Sequence, residues 1–236
     1  MAMGRWATTI LFLLGSVILT HMLPFSSFFR NVNTMVHEFG HAAATMLLSG
    51  KVMYIELYAN HSGVTYSYIE EGWRTIPLAL AGYISASLFA VYLFHAYGKG
   101  KLNSGFIAMS AVALVSLIFF VRNGFGVAWL AGFIAVNTIA MWIGIRWIKH
   151  FYYLLVAFIC LEESVFSTID LVYLSFMHPG QAGDATSLAK TTMMPDLVWS
   201  ILFLIIALMC AKAAISRFIG RSGKRRGSRA RKAAAS

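Results

Sequence analysis

The chain has 236 residues, of which 59% are hydrophobic and only 12% charged, and its mean hydropathy is +0.71. Soluble domains carry about 25% charged residues, so this composition excludes an ordinary soluble globule and marks an integral membrane protein. The formal net charge of +10 comes from nineteen basic against nine acidic side chains, and eight of the basic ones fall between Arg217 and Lys232. The charge therefore belongs mainly to a tail and not to a basic domain.

Residues 8–23 form the first candidate transmembrane helix. One arginine precedes them, as in a signal sequence, but no small-residue cleavage site follows, so the segment is read as an anchor. A loop at 24–30 leads into a second helix over 32–48, short and amphipathic for a span. It carries His37-Glu38-Phe39-Gly40-His41, the H-E-x-x-H pattern in which two histidines hold zinc and the glutamate works on metal-bound water. Residues i and i+4 share one helix face, so both imidazoles reach one ion. Three ionisable groups in mid-helix would cost a few kcal/mol each against lipid, so they face the bundle interior or a water-filled cavity.

Gly50 ends that helix, and the pattern over 51–68 changes to a period of two. Val52, Tyr54, Glu56 and Tyr58 alternate with Met53, Ile55 and Leu57, then Asn60-His61-Ser62-Gly63 makes a turn before Val64-Thr65-Tyr66-Ser67-Tyr68. This predicts a β-hairpin, either a structural interfacial element or an edge that holds an extended peptide. Further spans are expected at 76–97, 105–121, 127–148, 152–176 and 197–219, each near the roughly 20 apolar residues a bilayer needs. Trp6, Trp73, Trp129, Trp147 and Trp199 near segment ends read as interfacial aromatics. The expected fold is thus an all-α polytopic membrane protein of six to seven transmembrane helices with a small interfacial β-hairpin. Residues 1–220 form its membrane domain, and 221–236 a disordered basic tail. Lys and Arg asymmetry puts the C-terminus in the cytoplasm and the N-terminus outside, in a multi-pass protein of the plasma membrane. The tail's expected partner is an anionic lipid surface, not nucleic acid. Cys160 and Cys210 lie in apolar runs and read as small buried hydrophobes, so neither a disulfide framework nor a Cys-type metal site is indicated.

A catalytic zinc site needs a third protein ligand. The acids available are Glu162, Glu163 and Asp170 in the 152–176 span, Asp184 in the following loop, and Asp196 at the start of the last helix. Asp196 reads as a helix-start acid, and Asp184 could equally cap a short helix beginning at Ala185. Acids inside an apolar helix are functional by default. Spacing alone leaves Asp170 and Asp184 even.

The run from His37 to Ala44, Ser49-Gly50-Lys51-Val52, Ile55-Glu56-Leu57, Ser62-Gly63-Val64-Thr65, Leu80-Ala81-Gly82-Tyr83 and Gly183-Asp184-Ala185 resembles the site-2-protease class of intramembrane zinc metallopeptidases, in its compact peptidase M50B-like branch. The resemblance covers about residues 30–90 and 180–196, and the middle spans only by hydrophobicity. It implies that His37 and His41 are metal ligands, that Glu38 is the catalytic base, and that Asp184 is the third ligand, with Asp170 the alternative. It also implies one Zn²⁺ per chain, membrane-protein or peptide substrates, and hydrolysis in which Glu38 activates a zinc-bound water. The competing expectation is a non-catalytic membrane protein of the same fold, either an inactive homologue that binds client helices or a metal-binding or transport protein.

Overall fold

Three helices in this chain are followed within two residues by a residue in the left-handed region. In the computed structural model, which describes residues 3–18, 26–70 and 72–233, Ser49 (φ 61°), Gly100 (φ 77°) and Met193 (φ 60°) each sit just beyond a helix end, the usual way a helix is terminated. The elements are α1 (Met3–Val17), α2 (Ser26–Leu47), β1 (Lys51–Leu57), β2 (Gly63–Tyr68), α3 (Thr75–Gly98), α4 (Leu102–Val115), α5 (Gly124–Trp142), α6 (Arg146–Met177), α7 (Gly183–Thr192) and α8 (Asp196–Ala233). A turn of π-helix, Ser116–Phe120, extends α4.

Four of the described helices are long and apolar enough to cross a membrane: Thr75–Gly98, Leu102–Phe120, Gly124–Trp142 and Asp196–Gly220. The expected count of six to seven is not reached among the described residues. The first expected span lies partly outside them. The helices with buried ionisable groups, α2 and α6, owe their place to packing, not to uniform hydrophobicity. Residues 26–30, expected as loop, are the first turns of α2, and helical backbone continues in α8 to Ala233, into the stretch expected to be unstructured. Trp129 is not an interfacial aromatic: it is 4% exposed and stacked on Phe133.

The core is built on α2, α3, α6 and α8. α2 and α3 run antiparallel, with the Ser85 hydroxyl donating to the Val36 carbonyl at 3.3 Å and His41 Nδ1 lying 2.9 Å from the Leu78 carbonyl oxygen. They approach closely because Gly40 has no side chain; a Cβ there would meet Ser85 and come within 2.9 Å of the Ala81 carbonyl oxygen. α6 is buried continuously from Val156 to Ser164. Among its buried residues is Glu163, whose Oε1 lies 2.7 Å from Arg30 Nε of α2, both side chains largely out of solvent. An acid expected to be functional is thus a tie between two core helices.

The hairpin lies back along α2. Tyr68 closes beside Gly50 at the C-terminal end of α2, while the turn meets its N-terminal half, where Thr34 Oγ1 donates to the His61 carbonyl at 2.7 Å and Asn31 Nδ2 to that of Tyr58 at 3.3 Å. The outer edge of β1 is occupied. The π-turn brings Val121 into a parallel bridge with Ile55, Arg122 N donates to the Ile55 carbonyl, and Asn123 bonds both main-chain polar groups of Leu57. Among the described residues β2 keeps its other edge free of backbone partners.

Removing one member of a buried ion pair leaves the other charge uncompensated, a loss of about 3–5 kcal/mol. Glu163→Ala should therefore lower the thermal unfolding midpoint in detergent sharply. Arg30→Met combined with Glu163→Leu should recover much of the loss, as read from the same melting curves.

Candidate metal centre

His37 and His41 are one turn apart on α2 and both turn toward α3 and α7. Their Nε2 atoms are 3.0 Å apart, and Asp184 Oδ2 lies 3.3 Å from His37 Nε2 and 3.2 Å from His41 Nε2. These three are the His, Cys, Asp or Glu cluster among the described residues with metal-binding spacing. In a tetrahedral site with bonds of about 2.0–2.1 Å, donor atoms stand about 3.3–3.4 Å apart. The triangle is within a few tenths of an ångström of that. Three ligands of this kind leave one position for water or substrate, the arrangement of catalytic and not structural zinc sites.

The protonation pattern agrees. A carbonyl oxygen only accepts, so His41 Nδ1 must donate to Leu78, and Nε2 is the ring nitrogen directed at His37 and Asp184. A ligating histidine commonly donates its second ring nitrogen to a backbone carbonyl in this way. The His37 ring is fixed by packing, edge-on to Tyr83 with ring centroids 4.6 Å apart. Burial pushes the Asp184 carboxyl upward, but hydrogen bonds from His37 and His41 outweigh it and hold the group well below the usual carboxylate range. It is ionised, as a ligand carboxylate has to be.

Asp184 reaches this point through α7. No side-chain capping bond is made at the start of that helix, so the capping role considered for Asp184 is not the one it plays. Its position depends on Asp196, whose Oδ2 accepts the Gly180 N–H at 2.8 Å while its Oδ1 accepts that of Leu197 at 2.9 Å. One carboxylate thereby starts α8 and anchors the loop that presents Asp184. Asp170, the alternative ligand, is exposed on α6 and outside the cluster.

Glu38 is 5% exposed and belongs to the same cleft. The Thr65 hydroxyl of β2 lies 2.7 Å from Glu38 Oε2 and 3.0 Å from its carbonyl oxygen, so the hairpin sets the rotamer of the glutamate. The cleft is about 460 Å³, lined also by Ser67, Thr75, Tyr83 and Ser187. Two glycines make room. A Cβ at Gly82 would lie 2.5 Å from both histidine Nε2 atoms, and one at Gly63 2.9 Å from Glu38 Oε1. The Leu78 carbonyl and the anchoring role of Asp196 carry no local signal in the sequence, and Gly63 and Thr65 stand in the Ser62-Gly63-Val64-Thr65 stretch without showing what they touch. Gly82 stands in the Leu80-Ala81-Gly82-Tyr83 stretch, where its steric role is invisible until α2 and α3 are brought together.

The profile of the family described as Peptidase M50B-like matches residues 6–214 of this chain. No curated protein and no solved structure matches it.

Loss of a first ligand should exceed the 10–100-fold loss of affinity that follows removal of an outer partner. Asp184→Ala should thus lower zinc affinity by more than about 100-fold, and Asp170→Ala should leave it near wild type, measured by competition with a chromogenic chelator. Gly82→Ala should behave like the ligand variant while keeping helical circular dichroism.

Proposed function

Because the chain belongs to the Peptidase M50B-like family, we propose that it is a zinc-dependent intramembrane endopeptidase that hydrolyses peptide bonds of membrane-associated substrates. His37, His41 and Asp184 would hold one Zn²⁺, and Glu38 is assigned as catalytic base. The observation that carries this reading is the convergence of three ligand-type atoms within 3.0–3.3 Å on a cleft that also contains Glu38. When bound, the ion supplies a Lewis acid that polarises a carbonyl and brings the pKa of water toward about 7.

The chain's own residues supply the rest. Glu38 takes a proton from the attacking water and returns it to the departing amine, the two halves of general acid–base catalysis. Thr65 holds the carboxylate in place for both transfers, because its hydroxyl fixes Oε2. Substrate has to be extended at the cut, since a helix buries its carbonyls in its own hydrogen bonds. The free edge of β2 offers main-chain N–H and C=O groups to such a strand, beside Thr65 and Glu38. Water reaches the site along the polar lining of the cleft. The multi-pass body is assigned to the plasma membrane with the C-terminus cytoplasmic, and the basic tail to the anionic lipid surface on that side.

Glu38→Gln keeps the shape of the side chain and removes the base. Hydrolysis of a membrane-anchored test peptide by the purified protein should fall by at least about 10²-fold, with zinc content unchanged. Persisting cleavage would remove Glu38 from its assigned role. A wild-type protein without stoichiometric zinc would favour the non-catalytic member of the same fold.

A further inference from the structure

Two of the helices long and apolar enough to cross a membrane, Thr75–Gly98 and Leu102–Phe120, are joined only by Lys99-Gly100-Lys101. The reversal is tight. Lys101 N donates to the Ala96 carbonyl at 2.9 Å and Gly100 N to that of Tyr97 at 3.0 Å, with Gly100 at φ 77°. This is the pair of bonds by which a left-handed glycine closes a helix. Both lysines are thereby held at the end of α3, and α4 turns back along it. Tyr92 of α3 meets Ser104 in the first turn of α4, the two hydroxyl oxygens 2.6 Å apart.

Between the two helices at this end lies a cavity of about 350 Å³, lined by Tyr92, His95, Ala96, Lys99, Lys101 and Ser104. The α3 residues fall at i, i+3, i+4 and i+7, one face of the helix. Every polar side chain of the lining can donate a hydrogen bond, and none is an acid. The ammonium groups only donate, and the imidazole keeps a ring N–H in either charge state. Where Tyr92 donates to Ser104, the serine proton is left for a ligand. The start of α4 adds the positive end of a helix dipole. Other basic residues near this end are spent on main-chain carbonyls, Lys149 Nζ on Met141 at 2.6 Å and Arg217 Nη1 on Ala213 at 2.8 Å. Among the described residues, His95, Lys99 and Lys101 make no ion pair or side-chain hydrogen bond of that kind.

We propose that this cavity holds the phosphate of an anionic phospholipid. A phosphate offers acceptor oxygens and negative charge, the complement of the lining. Free phosphate shares that chemistry, and the position of the cavity selects the lipid. From Tyr92 to Lys99 it covers about 10 Å of helix axis, against a headgroup layer about 5–8 Å deep on each side of a bilayer. It therefore reaches from the aqueous edge to the first acyl carbons. Beyond it both walls turn apolar and stay uncovered. Leu88, one turn in from Tyr92, is 54% exposed, and Ile107, one turn in from Ser104, is 58% exposed. Acyl chains lie along these two side chains, with Tyr92 at the boundary where tyrosine is enriched. The site needs α3 and α4 to span the membrane; it does not rest on the peptidase reading.

Native mass spectrometry of the full-length protein in a non-ionic detergent, with phosphatidylglycerol or phosphatidylcholine added, reads the site directly. Phosphatidylglycerol should bind first as a single copy, at least about tenfold more tightly than phosphatidylcholine. Lys99→Gln with Lys101→Gln should weaken it about 30-fold, and Lys99→Arg with Lys101→Arg should keep it. Tyr92→Phe with Ser104→Ala leaves net charge unchanged and should still weaken binding about fivefold, which a diffuse charge attraction would not do. Lys224→Gln with Arg225→Gln and Arg226→Gln should leave the tight copy in place. Circular dichroism checks each fold, and if the glutamine pair does not fold, the Tyr92 and Ser104 variant carries the test. Equal binding of the two lipids, unchanged binding in the cavity variants, or a loss in the tail variant as large as that from the lysines overturns the proposal. Calorimetric titration with inorganic phosphate separates the two sources of the group. Phosphate binding that depends on Lys99 and Lys101, without preference for phosphatidylglycerol, marks a site for a soluble anion and also overturns it. No hydrolysis is read, so failure of the peptidase reading leaves these outcomes unchanged.

Discussion

The structure depends on how closely α2 and α3 approach. Two histidines on one helix face form a metal site only if nothing from the facing helix stands between them and a third ligand. Gly82 meets that requirement on α3, and Gly40 meets the matching one on α2, where a side chain would push against Ser85 and the Ala81 carbonyl. The close approach also puts the Leu78 carbonyl within reach of His41 Nδ1, which fixes the tautomer of that ring. Packing and chemistry here are one constraint. Overpacking a contact of this kind costs about 1–3 kcal/mol in stability, and at Gly82 the same displacement falls on the ligand atoms.

Around that contact two elements from distant parts of the sequence each deliver one group. The hairpin delivers Thr65 to Glu38, and is itself held by Asn31 and Thr34 on one side and by the 121–123 segment on the other. The α6–α7 loop delivers Asp184, and is held by Asp196. Arg30 and Glu163 lock α2 to α6 beneath both. Most of the buried charge in this apolar bundle is paired or aimed into the cleft, as expected when an unpaired charge in such surroundings costs several kcal/mol.

Local features were legible in the sequence. The His37–His41 spacing and the alternation over 51–68 are short-range patterns, and the observed α2, β1 and β2 contain them within a few residues of the expected limits. The choice between Asp170 and Asp184 could not be made from spacing, because each lies on an element whose placement is decided by tertiary contacts; the loop anchored by Asp196 makes the difference. Thr65 looked like one more β-branched strand residue, and Glu163 like a candidate functional acid, since neither partner is nearby in sequence. Four of the described helices meet the length and apolarity that a span needs, and those two properties alone do not separate a core helix such as α6 from a lipid-facing one. Trp129 was misread for the related reason that a tryptophan near a segment end is interfacial only if nothing packs over it.

The most direct measurement is X-ray absorption at the zinc edge on the purified full-length protein. The account predicts stoichiometric zinc in a four-coordinate shell of nitrogen and oxygen at about 2.0–2.1 Å, with multiple scattering from two imidazoles and no sulfur. A protein that binds no zinc, or one whose zinc has a sulfur neighbour or a single imidazole, would contradict it.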